Sequence, residues 1–287
     1  MRSDIEGRRR LHSLDALGEA VGAMKSLSAH HLRAARMSVE AARTYRSGVE
    51  RMLQWSGAVF ARGVEGAGLL VIGAELGFCG SYNSQVVSEG AARRALLGGG
   101  PTLCVGHRAA ALLRRRGVAV LRDYGMPTSV AGIPGLLLQL AEEILGSYAE
   151  NRLLSFDVVS SRFAGVGSVS PESVRLLPLE VARADAWPGT RYVQSGVFSF
   201  AAIREFLYIA LYDVLLDAIA SEHGARLIAT QSAEKWLEER TCRLRRQLAA
   251  ARREASTQEV LEVAVGVRAR HEAMAHEQRW ASPRFGL

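Results

Sequence analysis

The residues with the most chemical potential sit in one short stretch, Gly77-Phe-Cys-Gly80-Ser-Tyr-Asn83. A glycine-bearing turn between an apolar run and a helix is where a dinucleotide fold holds phosphates, because free N–H groups at the helix start point at the anion. The spacing argues against that use. No G-x-G-x-x-G and no G-x-x-x-x-G-K-[ST] occurs in the chain. Cys79 stands at a helix start, where a thiolate is stabilised, but it has no His or second Cys near it, and a buried small residue is the better reading. Ser81 and Ser84 have no base within motif distance. His30 and His31 are adjacent and project roughly 100° apart on a helix, which is wrong for a joint metal ligand. His271 and His276 are five apart, also a poor spacing, and both pairs read as surface histidines. Glu142-Glu143 reads as the solvent side of a helix. No catalytic constellation assembles, and neither a cofactor nor a metal is called for.

The three cysteines, Cys79, Cys104 and Cys242, are odd in number and widely spaced, which fits reduced thiols in a cytoplasmic setting rather than a disulfide framework. No stretch reaches 18 uncharged apolar residues, and MRSDIEGRRR is not followed by an apolar run, so neither a membrane span nor a secretory signal is expected. Apolar residues make up 48% of the 287 and charged residues 23%, which is globular usage and excludes wholesale disorder.

The net charge of +7 is unevenly placed: residues 1–62 hold 11 Lys or Arg against 6 acids, whereas the rest of the chain is nearly balanced. Within the last block, Arg240, Arg243, Arg245, Arg246, Arg252 and Arg253 fall in fourteen residues with no acid among them. Arginine supplies 34 of the 36 basic groups. Genome composition alone produces such a preference; a face that meets an acidic partner is the alternative, since guanidinium is permanently charged and pairs bidentately.

Elements that position these groups follow from proline and periodicity. Proline is absent before Pro101 and between Pro188 and Pro283, so both ends permit long helices. Leu14, Leu17, Val21 and Met24 step by three and four, and Leu32, Ala35, Val39, Ala42, Val49 and Met52 continue the stripe after a phase slip. Leu207, Leu211, Val214 and Ala218 begin a second stripe, carried on by Leu237, Leu244, Leu248, Ala251 and Ala255. This spacing is a coiled-coil seam. A helix over 200–270 would run about 105 Å and would need the N-terminal helix beside it.

The middle block alternates. Strands are predicted at 68–73, 102–106, 118–121, 156–160 and 173–179, with helices at about 83–97, 107–116 and 130–150. That order predicts an α/β sandwich with a largely parallel sheet. The fold class is therefore α/β, an antiparallel coiled coil of long terminal helices with an inserted Rossmann-like α/β domain. Its parts are an N-terminal helix over 1–62, the α/β domain over 63–195, a C-terminal helix over 196–270 and an extension over 271–287.

A basic helix can line a nucleic acid backbone. Here the cluster has one aromatic flank, Trp236, and leads into Val260-Leu-Glu-Val-Ala-Val-Gly-Val267, which carries a single charge and is apolar nearly all round. Such a helix tip needs enclosure on every side, and the chain has nothing left to enclose it. That points to a protein socket and away from nucleic acid.

Several strings resemble the gamma subunit of F-type ATP synthases, the central rotor shaft. Ala23-Met24-Lys25 matches the family's Ala-Met-Lys element, and Leu32-Arg-Ala-Ala-Arg36 resembles the run that follows it. Glu75-Leu-Gly-Phe-Cys-Gly-Ser-Tyr-Asn83 is similar to the loop Asp-Arg-Gly-Leu-Cys-Gly-Gly-Phe-Asn, with Gly77, Cys79, Gly80 and Asn83 kept. Ser221-Glu-His-Gly-Ala-Arg-Leu-Ile-Ala229 resembles Ser-Glu-x-x-Ala-Arg-Met-x-Ala, and Arg252-Arg-Glu-Ala-Ser-Thr-Gln-Glu-Val260 resembles the tip motif Arg-Gln-Ala-x-Ile-Thr-x-Glu-Ile. The likeness spans about residues 5–268. Departures are Glu19-Ala-Val21 for Lys-Ile-Thr, Leu76 for the loop arginine and Arg253 for the tip glutamine. The Glu-Pro pair before the C-terminal helix is missing, with Tyr192-Val-Gln-Ser195 nearby, and the chain continues past the family's usual end through Trp280 to Leu287. The pattern is that of a divergent bacterial branch, akin to an alternative ion-translocating ATPase.

The resemblance implies a subunit without chemistry of its own that couples ion-driven rotation to ATP synthesis or hydrolysis. Its implied partners are the alpha and beta subunits of the catalytic ring, an epsilon-type subunit and the membrane rotor ring. Its implied place is the cytoplasmic face of the bacterial inner membrane. The implied subunit contacts are Met24, Lys25, Gly77, Cys79, Gly80, Asn83, Ser221, Glu222, Arg226, Arg240, Arg252, Arg253, Thr257 and Glu259. Two other readings stay open on the residues alone: a nucleotide-binding α/β enzyme with a helical arm, resting on the Gly77–Gly80 turn, and a basic coiled coil that binds nucleic acid.

Overall fold

The structure is a computed structural model that describes residues 2–56, 66–149, 153–178 and 194–280. Leu179, Tyr192, Val193 and the last seven residues of the expected C-terminal extension lie outside the described residues. The chain divides into two compact units, Gly22–Ser232 and a second made of Met1–Val21 with Ala233–Leu287.

Two long helices frame the sequence, α1 (Arg2–Ser56, 55 residues) and α5 (Ser195–Trp280, 86 residues). Between them run β1 (Ala67–Ile72), α2 (Tyr82–Leu97), β2 (Thr102–Val105), α3 (His107–Arg115), β3 (Arg122–Tyr124), α4 (Ile133–Ala149), β4 (Ser155–Arg162) and β5 (Ser170–Leu177). The five strands form one sheet of order β3-β2-β1-β4-β5. β1 pairs in parallel with β2 and β4, and β2 with β3; β5 closes the other edge antiparallel to β4.

Strand alternation divides the core into two layers. Leu70, Ile72, Leu103, Val105, Phe156 and Val158 join one cluster with residues of α1, α4 and α5. Leu69, Val71, Cys104 and Val159 join another with α2 and α3. Because β1 is covered on both faces it reads as an unbroken apolar run, which made it visible in the sequence. The third strand falls at Arg122–Tyr124 rather than at 118–121. Val118 and Val120 pack instead beside α2 and α3, and the edge position of β3 lets a strand of polar residues pair with β2.

α4 tests the expectation that nothing spans a membrane and that Glu142-Glu143 faces solvent. Its window Val130–Ser147, with mean hydropathy 1.2, is long and apolar enough to cross a membrane by length and composition. Ile133, Leu136, Leu137, Leu140 and Ile144 lie in the core cluster while Gln139 and Glu142 are exposed, the pattern of an amphipathic helix that packs one face on the core. Glu143 is half-buried and bonds Arg122 at 2.7 Å, so only Glu142 faces solvent as expected.

Within Gly22–Ser232, α1 and α5 run antiparallel. Leu32, Ala35, Ala42, Val49 and Leu53 of α1 share the core with Phe206, Leu207, Ala210, Leu211, Leu215 and Ala218 of α5. Met52, expected on the seam, is exposed, and Leu53 takes its place. Flanking the seam, Arg43 bonds Asp217 at 2.7 Å, Arg46 bonds Asp213 at 3.0 Å and Tyr45 donates to Glu205 at 2.9 Å. In the other unit Val21 and Leu237 are buried, Leu17 is exposed, and Arg245 reaches Asp15 at 3.1 Å. A Cβ on Gly7 would come 2.5 Å from Leu248, the last residue of the second stripe to be half-buried; Ala251 and Ala255 are exposed.

Asp157, in the middle of β4, has no exposed surface and accepts from Arg93 Nε at 2.7 Å and Arg175 Nε at 3.2 Å. It ties α2 and β5 to the sheet centre. Replacing Asp157 by Asn should cost about 1.5–3 kcal/mol, since two cations lose their carboxylate but stay partly hydrated. Urea unfolding of the full chain checks this through a lower midpoint at unchanged slope.

Candidate functional site

The Gly73–Ser81 segment leaves the carboxyl end of β1 and enters α2, and it is held from four sides. Asn83 pairs with the backbone of Ala74, accepting its N–H at 2.8 Å and donating to its carbonyl at 3.4 Å. Glu75 accepts the backbone N–H groups of His107 and Met126, each at 3.1 Å. Phe78 and Gly80 both have φ of 57°, the left-handed region that folds the turn back; glycine takes it freely and phenylalanine under strain. Phe78 stands 59% exposed, with Leu76 exposed beside it. Cys79 is buried, and burial raises its thiol pKa, against the pull of the nearby Arg226 cation. It is a packed small residue and not an activated thiolate.

α5 supplies the fourth side. Arg226, 2% exposed, donates from Nε to the Gly77 carbonyl at 3.1 Å, from one terminal nitrogen to His223 Nδ1 at 3.2 Å, and from the other to Glu222. His223 Nε2 donates to the Thr128 carbonyl at 3.1 Å, and the His31 ring of α1 lies 5.0 Å from the His223 ring, centroid to centroid. Tyr82 donates to the Ala218 carbonyl at 3.3 Å, and Ser221 to the Ser161 carbonyl at 3.0 Å.

This arrangement answers the nucleotide reading. In an open α/β sheet a ligand sits outside the carboxyl ends of the strands where the order reverses. That point lies here between β1 and β4, and α5 fills it with Ser221, Arg226 and Gly224, the last packed against Phe163. The turn that would cradle a phosphate has its Gly77 carbonyl tied to Arg226.

A second surface lies in the unit of Met1–Val21 and Ala233–Leu287. Arg9 and Arg10 of α1 and Arg240 and Arg243 of α5 line a groove of about 460 Å³ that also contains Glu6. Beyond Leu248 every side chain from Ala249 to Met274 is exposed. Arg252, Arg253, Thr257 and Glu259 lie in that stretch, and Thr257 donates to the Arg253 carbonyl of its own helix at 2.9 Å. So do Val260, Leu261, Val263, Val265 and Val267, each more than half exposed. At about 100° per residue these five side chains cover about 200° of the helix circumference, and Glu262 and Gly266 lie in the remainder.

The sequence-derived site residues thus part into two groups. Cys79, Asn83, Ser221, Glu222 and Arg226 are buried inside the chain, where they hold the turn to α5, so their side chains do not present a contact surface. Met24 and Lys25 are half-buried on α1, Gly77 and Gly80 form the turn, and Arg240, Arg252, Arg253, Thr257 and Glu259 are exposed. His30 is exposed as expected, whereas His31 reaches inward.

A family model described as ATP synthase matches residues 4–269. The chain belongs to the ATP synthase family. Among its relatives in that family, the ATP synthase gamma chain of Moorella thermoacetica is 28% identical over 273 residues, covering 90% of this chain and 96% of the relative. The gamma chain of Roseiflexus castenholzii is 28% identical, covering 94% and 99%. Among solved structures, one from the Euglena gracilis mitochondrial ATP synthase (OSCP/F1/c-ring) has a TM-score of 0.65 at 15% identity and covers 99% of this chain and 98% of its own. A Tetrahymena thermophila mitochondrial ATP synthase central stalk/c-ring chain has a TM-score of 0.58 at 20% identity, covering 75% and 99%. The fold is that of the ATP synthase central stalk.

For this ATP synthase family chain, sequence reasoning missed His223 and His31, whose only signal was a histidine at an apolar position of each long helix. Arg226→Ala would leave Glu222 buried without its cation and should destabilise the chain by about 3–5 kcal/mol. Arg226→Lys should recover little of this, because one ammonium cannot span Gly77, His223 and Glu222 together. Chemical denaturation of the two variants, compared with wild type, measures both.

Proposed function

We propose that this chain is the central shaft of a rotary ATP synthase, turning within a ring of alternating alpha and beta subunits and coupling that rotation to ATP synthesis or hydrolysis. The observation that carries the reading is the run of 26 exposed residues from Ala249 to Met274, with its broad apolar face over Val260–Val267. A narrow stripe would fit a groove; an exposed apolar face that covers more than half of the circumference fits a collar that surrounds the helix and lets it turn.

The shaft carries no chemistry of its own. A single asymmetric object at the centre of three equivalent sites cannot meet all three alike, so each site is biased towards a different state by differential contact, and rotation exchanges the states. Arg240, Arg252, Arg253, Thr257 and Glu259 face the ring in this reading. Leu76 and Phe78 are the outward residues of the Gly77–Gly80 turn and its contact with other subunits, while the buried residues behind them hold the turn in place. Met24 and Lys25 flank the seam on α1. The α/β domain sits on the membrane rotor ring and meets an epsilon-type subunit. The chain is then peripheral to the cytoplasmic face of the bacterial inner membrane, with proton or sodium as the coupling ion.

The test is steady-state ATP hydrolysis by complexes rebuilt with alpha and beta subunits. Contact made in one rotary position and not in the others changes a barrier, whereas uniform contact does not. Arg252→Ala should slow turnover with assembly intact, and Arg252→Ala with Arg253→Ala should slow it about tenfold or more, beyond either single change. Unchanged turnover in the double variant would remove these arginines from the contact. Failure of the wild-type chain to assemble with the ring subunits would overturn the shaft reading itself.

A further inference from the structure

The contacts of His223 contain a restriction that the rotary function does not require. Its Nε2 donates to the Thr128 carbonyl, which leaves Nδ1 as the lone-pair nitrogen, and Nδ1 accepts from the Arg226 guanidinium at 3.2 Å. A second proton on the ring has one place to go, Nδ1, where it would set an imidazolium N–H against a guanidinium N–H. The closed arrangement and a charged His223 exclude each other by geometry. The His31 ring of α1 lies against the same ring, tilted by 38°, and the His30 and His31 ring centroids are 5.4 Å apart.

We propose that His223 and His31 make the contact between α5 and the Gly77–Gly80 turn an acid-sensitive latch, closed while His223 is neutral and released when it takes a proton. Release would break the chain Thr128–His223–Arg226–Gly77 at its middle link and free the exposed, left-handed Phe78 from its anchor.

The groups around His223 set the sign. Arg226 of α5 and His31 of α1 act on it directly; His30 acts on His31, and Glu75, Cys79 and Tyr82 act on the Glu222–Arg226 pair beside it. Burial first, then the Arg226 and His31 charges, hold the His223 pKa down at about 4. Burial, His30 and Arg226 lower His31 as well. A histidine depressed in the folded state stabilises it fully above its unfolded value near 6.5, and that contribution is lost as pH falls towards 4. Burial raises Glu222, which acts the other way, favouring the folded form at low pH. Its protonation does not rescue the latch, because it strips Arg226 of its carboxylate and leaves the clash at Nδ1 in place.

The latch is a property of the chain by itself, so its test stands apart from the hydrolysis experiment. Amide hydrogen exchange of the full chain, corrected for the intrinsic pH dependence, is compared at pH 7.5 and pH 5. Peptides covering 73–83 should lose about 30-fold in protection at pH 5 in the wild type. His223→Met, neutral and space-filling, should show a ratio near one, and His31→Phe, which keeps a ring on His223 without its charge, a ratio between the two. Equal loss in wild type and His223→Met would overturn the proposal. Should His223→Met fail to fold, NMR titration of the wild-type imidazoles decides: a His223 midpoint below 5 that moves with the Phe78 amide supports the latch. A midpoint near 6.5, or a Phe78 amide that does not follow it, overturns it.

Discussion

A guanidinium buried in a protein needs a carboxylate and acceptors for its remaining N–H groups, or it costs several kcal/mol. Arg226 is such a group, and every partner it finds lies on a different stretch of the chain or fixes one. Glu222 is one helical turn away on α5, Gly77 belongs to the segment after β1, and His223 links onward to Thr128 and His31. Meeting the needs of this one charge brings α1, α5 and the β1–α2 connection into a single geometry. Closing the crevice between β1 and β4 follows from the same placement, which turns a sheet built like a ligand-binding one into a scaffold.

The two ends of α5 illustrate how composition around a helix decides its surroundings. From Ala202 to Ala220 the apolar residues find the sheet, α1 and α4. From Ala249 to Met274 comparable residues are exposed among the described residues, although Val263 and Val265 are no less apolar than Leu211 or Leu215. Leu248 is the last residue of the second stripe to meet α1, at Gly7. Exposure of that band is a hydrophobic cost that the chain alone does not offset, and a ring that encloses it removes it.

Much of this was legible in the residues because it rests on local pattern. Short apolar runs gave away β1, β2 and β4, the proline-free ends gave away both long helices, and the tip was read as unenclosed from its single charge among apolar residues. What failed to show depends on partners far apart in the chain. β3 was placed over Val118 and Val120 because apolar residues suggest a strand, yet an edge strand needs backbone partners more than apolar side chains. Met52 and Leu17 were read onto seams from spacing, but the helices meet with a slightly different phase. Strings shared with the family were read as contact residues; Asn83, Glu222 and Arg226 instead serve the interior, and a shared motif by itself does not distinguish holding a surface from being one. The pairing of His31 with His223 joins residues 192 positions apart, and no periodicity encodes it.

The ties between α1 and α5 within Gly22–Ser232 have a mechanical meaning. Two helices joined only by an apolar seam can slide, because such contacts have no direction. Arg43 and Arg46 on one helix, gripping Asp217 and Asp213 on the other, add contacts that do. Sliding by one turn would strand two carboxylates with little exposed surface, so neither helix can rotate about its own axis without carrying the other. Torque entering either one is shared there as in a double-walled rod. Beyond Leu248 the side chains from Ala249 to Met274 are all exposed, so torque carried past that point runs along a helix without a buried apolar seam.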